Sequence, residues 1–176
     1  MSELHLGDDT VLTVRAMNGQ YRIEANSEQY EDWPIPINAL TTGEAGWIAV
    51  LTGTHNGPVA IRFQFLTAAP ALVETGWDMV GERDLYCEED TVKIKDLFTS
   101  MPPHIIIVVP GTYRLRLHVA GRSAAASVRM LSEPIERHFI QMWAVSQATG
   151  QAILAGPDDW GTAFMEQVTA LQNRTD

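Results

Sequence analysis

Two-residue alternation over Val59–Leu66 constrains this chain more than any other feature of its sequence. Val59, Ile61, Phe63 and Phe65 are bulky and apolar, and they alternate with Ala60, Arg62, Gln64 and Leu66. Side chains of a strand point to opposite faces in turn, so the run builds a strand with one side toward a core; a helix would scatter the same residues around its axis. Tyr113–Val119 repeats the pattern, with Tyr113, Leu115, Leu117 and Val119 on one face and Arg114, Arg116 and His118 on the other. Shorter runs over Thr10–Ala16, Tyr21–Ala25, Trp47–Thr52, Met79–Tyr86, Thr91–Leu97, Ile105–Val108 and His138–Val145 read as further strands. His138–Val145 is apolar on both faces, which requires cover on both sides.

Turn chemistry separates these runs. Asn18-Gly19 tolerates the positive φ angles of a type I′ hairpin, Asn56-Gly57-Pro58 separates Trp47–Thr52 from the Val59 strand, Glu88-Glu89-Asp90 connects Tyr86 to Thr91, and Pro110-Gly111 precedes the Tyr113 strand. Helical spacing is confined to Trp160–Gln172, where Phe164, Val168 and Leu171 recur and Asp158 or Asp159 can cap. Ala124–Leu131 forms one or two helical turns or a loop. No linker or internal repeat divides the chain. The expectation is one all-β domain over residues 1–176, an antiparallel β-sandwich or jelly-roll-like fold, with a helical tail from about residue 158.

Composition agrees with a globular chain. Of 176 residues, 45% are hydrophobic and 19% charged, outside the low-hydrophobicity, high-charge regime of disorder. A chain of this length buries roughly 70% of the surface it exposes unfolded. The net charge of −10 argues against direct contact with nucleic acid or an anionic membrane. The longest clean aliphatic run, Ile105–Val109, is far short of the roughly 20 residues that span a bilayer. A lone Cys87 and an acidic start containing Glu3, Asp8 and Asp9 lead us to expect a cytoplasmic protein without disulfides.

The charge is uneven. Residues 1–96 hold 16 acidic and 6 basic side chains, while residues 97–176 hold 6 of each. Asp78, Glu82, Asp84, Glu88, Glu89 and Asp90 crowd one segment, and Asp32 stands beside Trp33 in a second. Such carboxylates suit a solvated surface or a face complementary to a basic protein, whose encounter they would steer. Trp33 precedes Pro34-Ile35-Pro36, an extended segment where an exposed aromatic would anchor a partner.

Arg114, Arg116 and His118, joined by Gln141 from the neighbouring strand and extended by Arg122, offer an alternative anion-binding face. The same residues could instead pair with carboxylates of adjacent strands. No nucleophile-elbow, phosphate-loop, dinucleotide or zinc-protease motif is present, and His5, His55, His104, His118 and His138 never fall two to four apart. We therefore expect no metal and no cofactor, and no catalytic residues are assigned. Cys87, flanked by Glu88 and Glu89, reads as an inert thiol.

The segments Gly111-Thr-Tyr-Arg-Leu-Arg-Leu-His118 and Arg137-His-Phe-Ile-Gln-Met-Trp143 resemble the C-terminal half of the competence-associated nuclease-inhibitor family, small bacterial β-sandwich proteins. Gly53–Val59 is similar to a Gly-Thr-His-x-Gly-Pro-Val segment of uncharacterised bacterial proteins. The resemblance covers about a third of the chain and implies an all-β fold and inhibition of a basic nuclease or toxin, although this chain is longer after Val145. Three readings follow. The first is an acidic binding protein, an immunity or nuclease-inhibitor protein, acting through Asp78, Glu82, Asp84, Glu88, Glu89, Asp90, Asp32 and Trp33. The second is a small-molecule or carbohydrate-binding sandwich, with or without catalysis, using Arg114, Arg116, His118 and Gln141. The third is a structural subunit forming a homo-oligomer through the His138 strand.

Overall fold

A computed structural model describes residues 2–26, 34–98 and 100–174. In chain order its elements are β1 (Ser2–Leu4), β2 (Asp9–Met17), β3 (Gln20–Glu24), β4 (Thr41–Glu44), β5 (Trp47–Leu51), β6 (Asn56–Leu66), β7 (Met79–Cys87), β8 (Thr91–Lys95), β9 (His104–Ile107), β10 (Gly111–Ala120), α1 (Arg122–Ala126), β11 (Arg137–Val145), β12 (Ala152–Ala155) and α2 (Asp159–Gln172). All nine sequence-expected strands are strands, and β1, β4 and β12 add to them. These three are too short to show a period. No helix among the described residues is long and apolar enough to cross a membrane.

The strands form one continuous mixed sheet that doubles back into two layers. One layer runs β4-β5-β3-β8-β9-β1 and the other β2-β6-β11-β10-β7-β12. They are joined at the β2–β3 hairpin, where Met17 pairs with Gln20. Asn18 (φ 52°) and Gly19 (φ 75°) both adopt positive φ there, as the Asn-Gly pair predicts. β2 lies against β8 and β5 against β7, and the Tyr86 N–H donates to the Ala45 carbonyl at 2.7 Å, tying the end of β7 to the β4–β5 hairpin. Between the layers, Val59, Ile61 and Phe63 of β6, Leu115, Leu117 and Val119 of β10, and Ile23, Ile48 and Ile94 of the opposite layer share one core. Each such side chain contributes roughly 1.5–3 kcal/mol by leaving water.

Three details depart from expectation. Two pairings are parallel, β1 with β9 and β6 with β11; an alternating strand carries the same binary pattern in either direction. Asn56-Gly57-Pro58 is no hairpin turn but the start of β6, with Pro58 opposite Arg15 of β2. Gly57 is needed there for another reason: at φ 147° it lies under Leu131, and a Cβ would sit 2.8 Å from that residue's Cβ. β11 is an interior strand between β6 and β10, so the His138 strand has no free edge to offer a second copy. Its outer face is covered by the β6–β7 connection, with Trp77 stacked at 6.0 Å on Phe139.

Candidate functional site

The alternation of β10 puts Arg114, Arg116 and His118 on the outer face of the second layer, and the pairing of neighbouring strands sets what each one meets. Three rows result. Asp84, Arg114 and Trp143 form one; Glu82, Arg116, Gln141 and Gln64 the next; Val80, His118, Phe139 and Arg62 the third. The four expected anion-binding residues therefore do share a face. The same register brings two of the expected acidic residues onto it.

Opposite charges are consumed there. Arg114 Nε donates to Glu82 Oε2 at 3.0 Å, and its Nη1 donates to Asp84 Oδ1 at 2.8 Å and to the Gly150 carbonyl. Arg116 Nε donates to Glu82 Oε1 at 2.7 Å, and its Nη1 to the Leu72 carbonyl at 2.9 Å. Asp84 Oδ2 accepts the Thr149 and Gly150 N–H groups at 2.7 and 2.6 Å. Arg114 and Arg116 are buried under the connections at 67–78 and 146–151. A solvated face or an open anion grip does not describe them: the guanidiniums and the Glu82 and Asp84 carboxylates saturate one another. His118 is wholly buried between Trp77 (5.6 Å) and Phe139 (4.9 Å). Its Nδ1 donates to the Phe139 carbonyl at 3.1 Å, and its Nε2 has no hydrogen-bond partner among the described residues, nor has Gln141 Oε1. Arg122 does not extend this face. It is fully buried elsewhere, pairing with Asp158 through Nε (2.8 Å) and Nη2 (2.5 Å).

The remaining acidic residues separate by position. Asp78 precedes β7 and accepts the Gly121 N–H at 2.8 Å. Glu88, Glu89 and Asp90 follow the other end of β7, a strand of nine residues, so about 30 Å separates the two groups at some 3.3 Å per residue. One stretch of sequence is thus split three ways. Asp32 and Trp33 lie outside the described residues.

Glu88, Glu89 and Asp90 are exposed, and no ion pair engages them among the described residues. Their backbone is held. The Glu88 N–H donates to Asn26 Oδ1 at 2.9 Å, and the Asp90 carbonyl accepts the Val108 N–H at 2.9 Å. This segment crosses between the layers instead of closing a hairpin, because β8 pairs with β3 and β9. Beside it stand Tyr86, 45% exposed, and Glu44, exposed next to Ala45. Cys87, one residue before the turn, is buried, and burial pushes its thiol up to about 12; desolvation, not the neighbouring glutamates, keeps it protonated.

ComJ from Bacillus subtilis, described as the inhibitor of the DNA-degrading activity of NucA, superposes with a TM-score of 0.56 over 80% of this chain and 99% of its own, at 10% sequence identity. The fold is shared with a nuclease inhibitor. A structure described as crocagin biosynthetic gene J matches over 78% of this chain and 97% of its own, at 14% identity and a TM-score of 0.49. No protein-family model matches the chain, and no curated protein matches it in sequence. The resemblance seen in the Gly111–His118 and Arg137–Trp143 segments is thereby supported at the level of fold.

One constellation escaped the sequence. Glu136 Oε2 accepts the Thr54 N–H (2.8 Å) and hydroxyl (2.9 Å), and its Oε1 accepts from His138 Nε2 at 2.7 Å. His138 Nδ1 lies 2.8 Å from the Tyr21 hydroxyl. Burial, and then the Glu136 charge, raise the Tyr21 phenol well above its ordinary range, so it stays protonated and donates to His138. All four residues are buried, and each side-chain nitrogen and oxygen of the chain has a hydrogen-bond partner. It braces the start of β11 to the Gly53–Val59 segment and to β3. Its members are 2 to 117 positions apart in sequence, which no local pattern reveals.

Proposed function

We propose that the protein is an acidic binding module that neutralises a basic protein partner, a nuclease or toxin, from within the cytoplasm. Its contact surface is the β7–β8 turn: Glu88, Glu89 and Asp90, with Glu44 and Tyr86 beside them and Asp32 and Trp33 as a second patch. The observation that carries this reading is that these three turn carboxylates are exposed and unpaired on a backbone fixed at both ends, while Glu82 and Asp84 are neutralised internally. Held carboxylates can stand where nucleic-acid phosphates would sit and raise encounter rates by long-range attraction. The shared fold with a nuclease inhibitor supports the same reading. The Arg114–Arg116–His118–Gln141 face is not carried forward as a ligand site, since its charges are satisfied and covered.

The test is protection of duplex DNA against a set of cationic nucleases, NucA included, at increasing ratios of this protein. Saturable protection of DNA near equimolar protein is the expected result, with protection lost in the E88K/E89K/D90K variant. Unimpeded cleavage by every nuclease at tenfold excess contradicts the proposal.

A further inference from the structure

One end of the sandwich is open. Between the β1–β9 edge of one layer and the β6, β10 and β11 ends of the other lies a groove of about 510 Å³, floored by Phe65, Tyr113 and Val108. Its rim carries exposed apolar side chains, Leu6 at 58% and Val109 at 76%, beside exposed His5 and Thr67. Single exposed apolar residues need no explanation, but several around one concavity mark a contact site. The wall of this groove is continuous with the acidic turn, because the Val108 N–H donates to the Asp90 carbonyl. The wall is also stiff, since the Tyr113 hydroxyl donates to the Val109 carbonyl at 2.8 Å and accepts its N–H at 3.1 Å.

The geometry points to a docking groove for an apolar side chain on a loop of a basic protein, with flanking Lys or Arg seated on Glu88, Glu89 and Asp90. This rests on the proposed function and adds the anchor to it. Charge selects the occupant. A second copy of this chain would bring the same unpaired carboxylates against each other, and an anionic bilayer would be repelled. A basic loop gains from both parts: attraction on approach from the turn, and a slow departure from burial of its anchor in the groove.

The probes are three hexapeptides, Lys-Lys-Leu-Phe-Lys-Lys, Lys-Lys-Ala-Ala-Lys-Lys and Glu-Glu-Leu-Phe-Glu-Glu, titrated into the isotope-labelled full chain and followed by amide NMR. The first is expected to shift the signals of Leu6, Val109 and Tyr113 and to bind about tenfold more tightly than the second, which shifts the turn alone. L6S and V109S, both at exposed positions, should remove most of that advantage, whereas E88K/E89K should weaken both basic peptides alike. Equal affinity of the first two peptides overturns the groove while leaving the acidic turn in place. Binding of the acidic peptide as tight as that of the first overturns the basic occupant, as does sedimentation showing a dimer that L6S dissolves. Absence of all binding overturns the groove also. The nuclease-protection assay reads the parent proposal separately.

Discussion

His118 shows how far a single residue can differ from its sequence appearance. In the run Arg114-Leu-Arg-Leu-His118 it looks like the end of a solvated basic stripe. In the fold it is a neutral imidazole between two aromatic rings. Burial lowers its pKa below the ordinary histidine value; Arg116 adds to that, and the Phe139 carbonyl, Glu74 and Glu82 oppose it without prevailing. The unfolded chain therefore binds a proton that the folded chain refuses, so stability is retained above about pH 6.5 and falls as the pH drops below it. Urea unfolding between pH 7 and pH 5 should show wild type losing stability faster than H118Q. Equal slopes would contradict a buried neutral His118. Nothing in the alternation could disclose this, because the cover is Thr67–Trp77, a connection with no period of its own.

At the scale of elements, the strands were legible because each needs only its own residues to reveal a face. Their directions were not: a parallel β6–β11 pair and an antiparallel one bury the same Ile61, Phe63 and Ile140. The C-terminal helix was legible too, including its cap, for Asp158 accepts the Gly161 N–H at 2.9 Å. What holds α2 to the body was not. Arg122 at the start of α1 grips Asp158 with two donors, gives another to the Ala39 carbonyl, and lies 4.4 Å over the Trp160 ring. Burial alone would raise the Asp158 pKa, but Arg122 and the helix N–H bring it below the usual carboxylate range. The contribution is thus present at neutral pH and lost as acid protonates the group. D158N leaves a buried guanidinium without its counter-charge and should cost about 3–5 kcal/mol in urea unfolding at pH 7. A loss under about 1 kcal/mol would show that the pair does not fasten the helix.

For the whole molecule, an excess of acidic residues in the first 96 positions proved a poor guide to where negative potential lies. Ordering by sequence placed Asp78 through Asp90 in one patch. Folding sent Asp78 to one end of β7, tied Glu82 and Asp84 to Arg114 and Arg116 in mid-strand, and left Glu88–Asp90 alone at the other end. Cross-strand register decides that Glu82 and Asp84 are spent on Arg114 and Arg116 while Glu88, Glu89 and Asp90 stay exposed, and a binary pattern does not encode register. Two sets of carboxylates in the same strand–turn segment thus differ in kind, Glu82 and Asp84 being paired and Glu88, Glu89 and Asp90 exposed. Stopped-flow association with a cationic nuclease selected by the DNA-protection assay, at low and physiological salt, separates them. E88K/E89K/D90K should slow association at least about tenfold at low salt and flatten its salt dependence, while E82Q/D84N should lower stability and leave the association rate of the folded protein unchanged. Slowed association in E82Q/D84N with an unaltered rate for the turn variant would contradict the assignment.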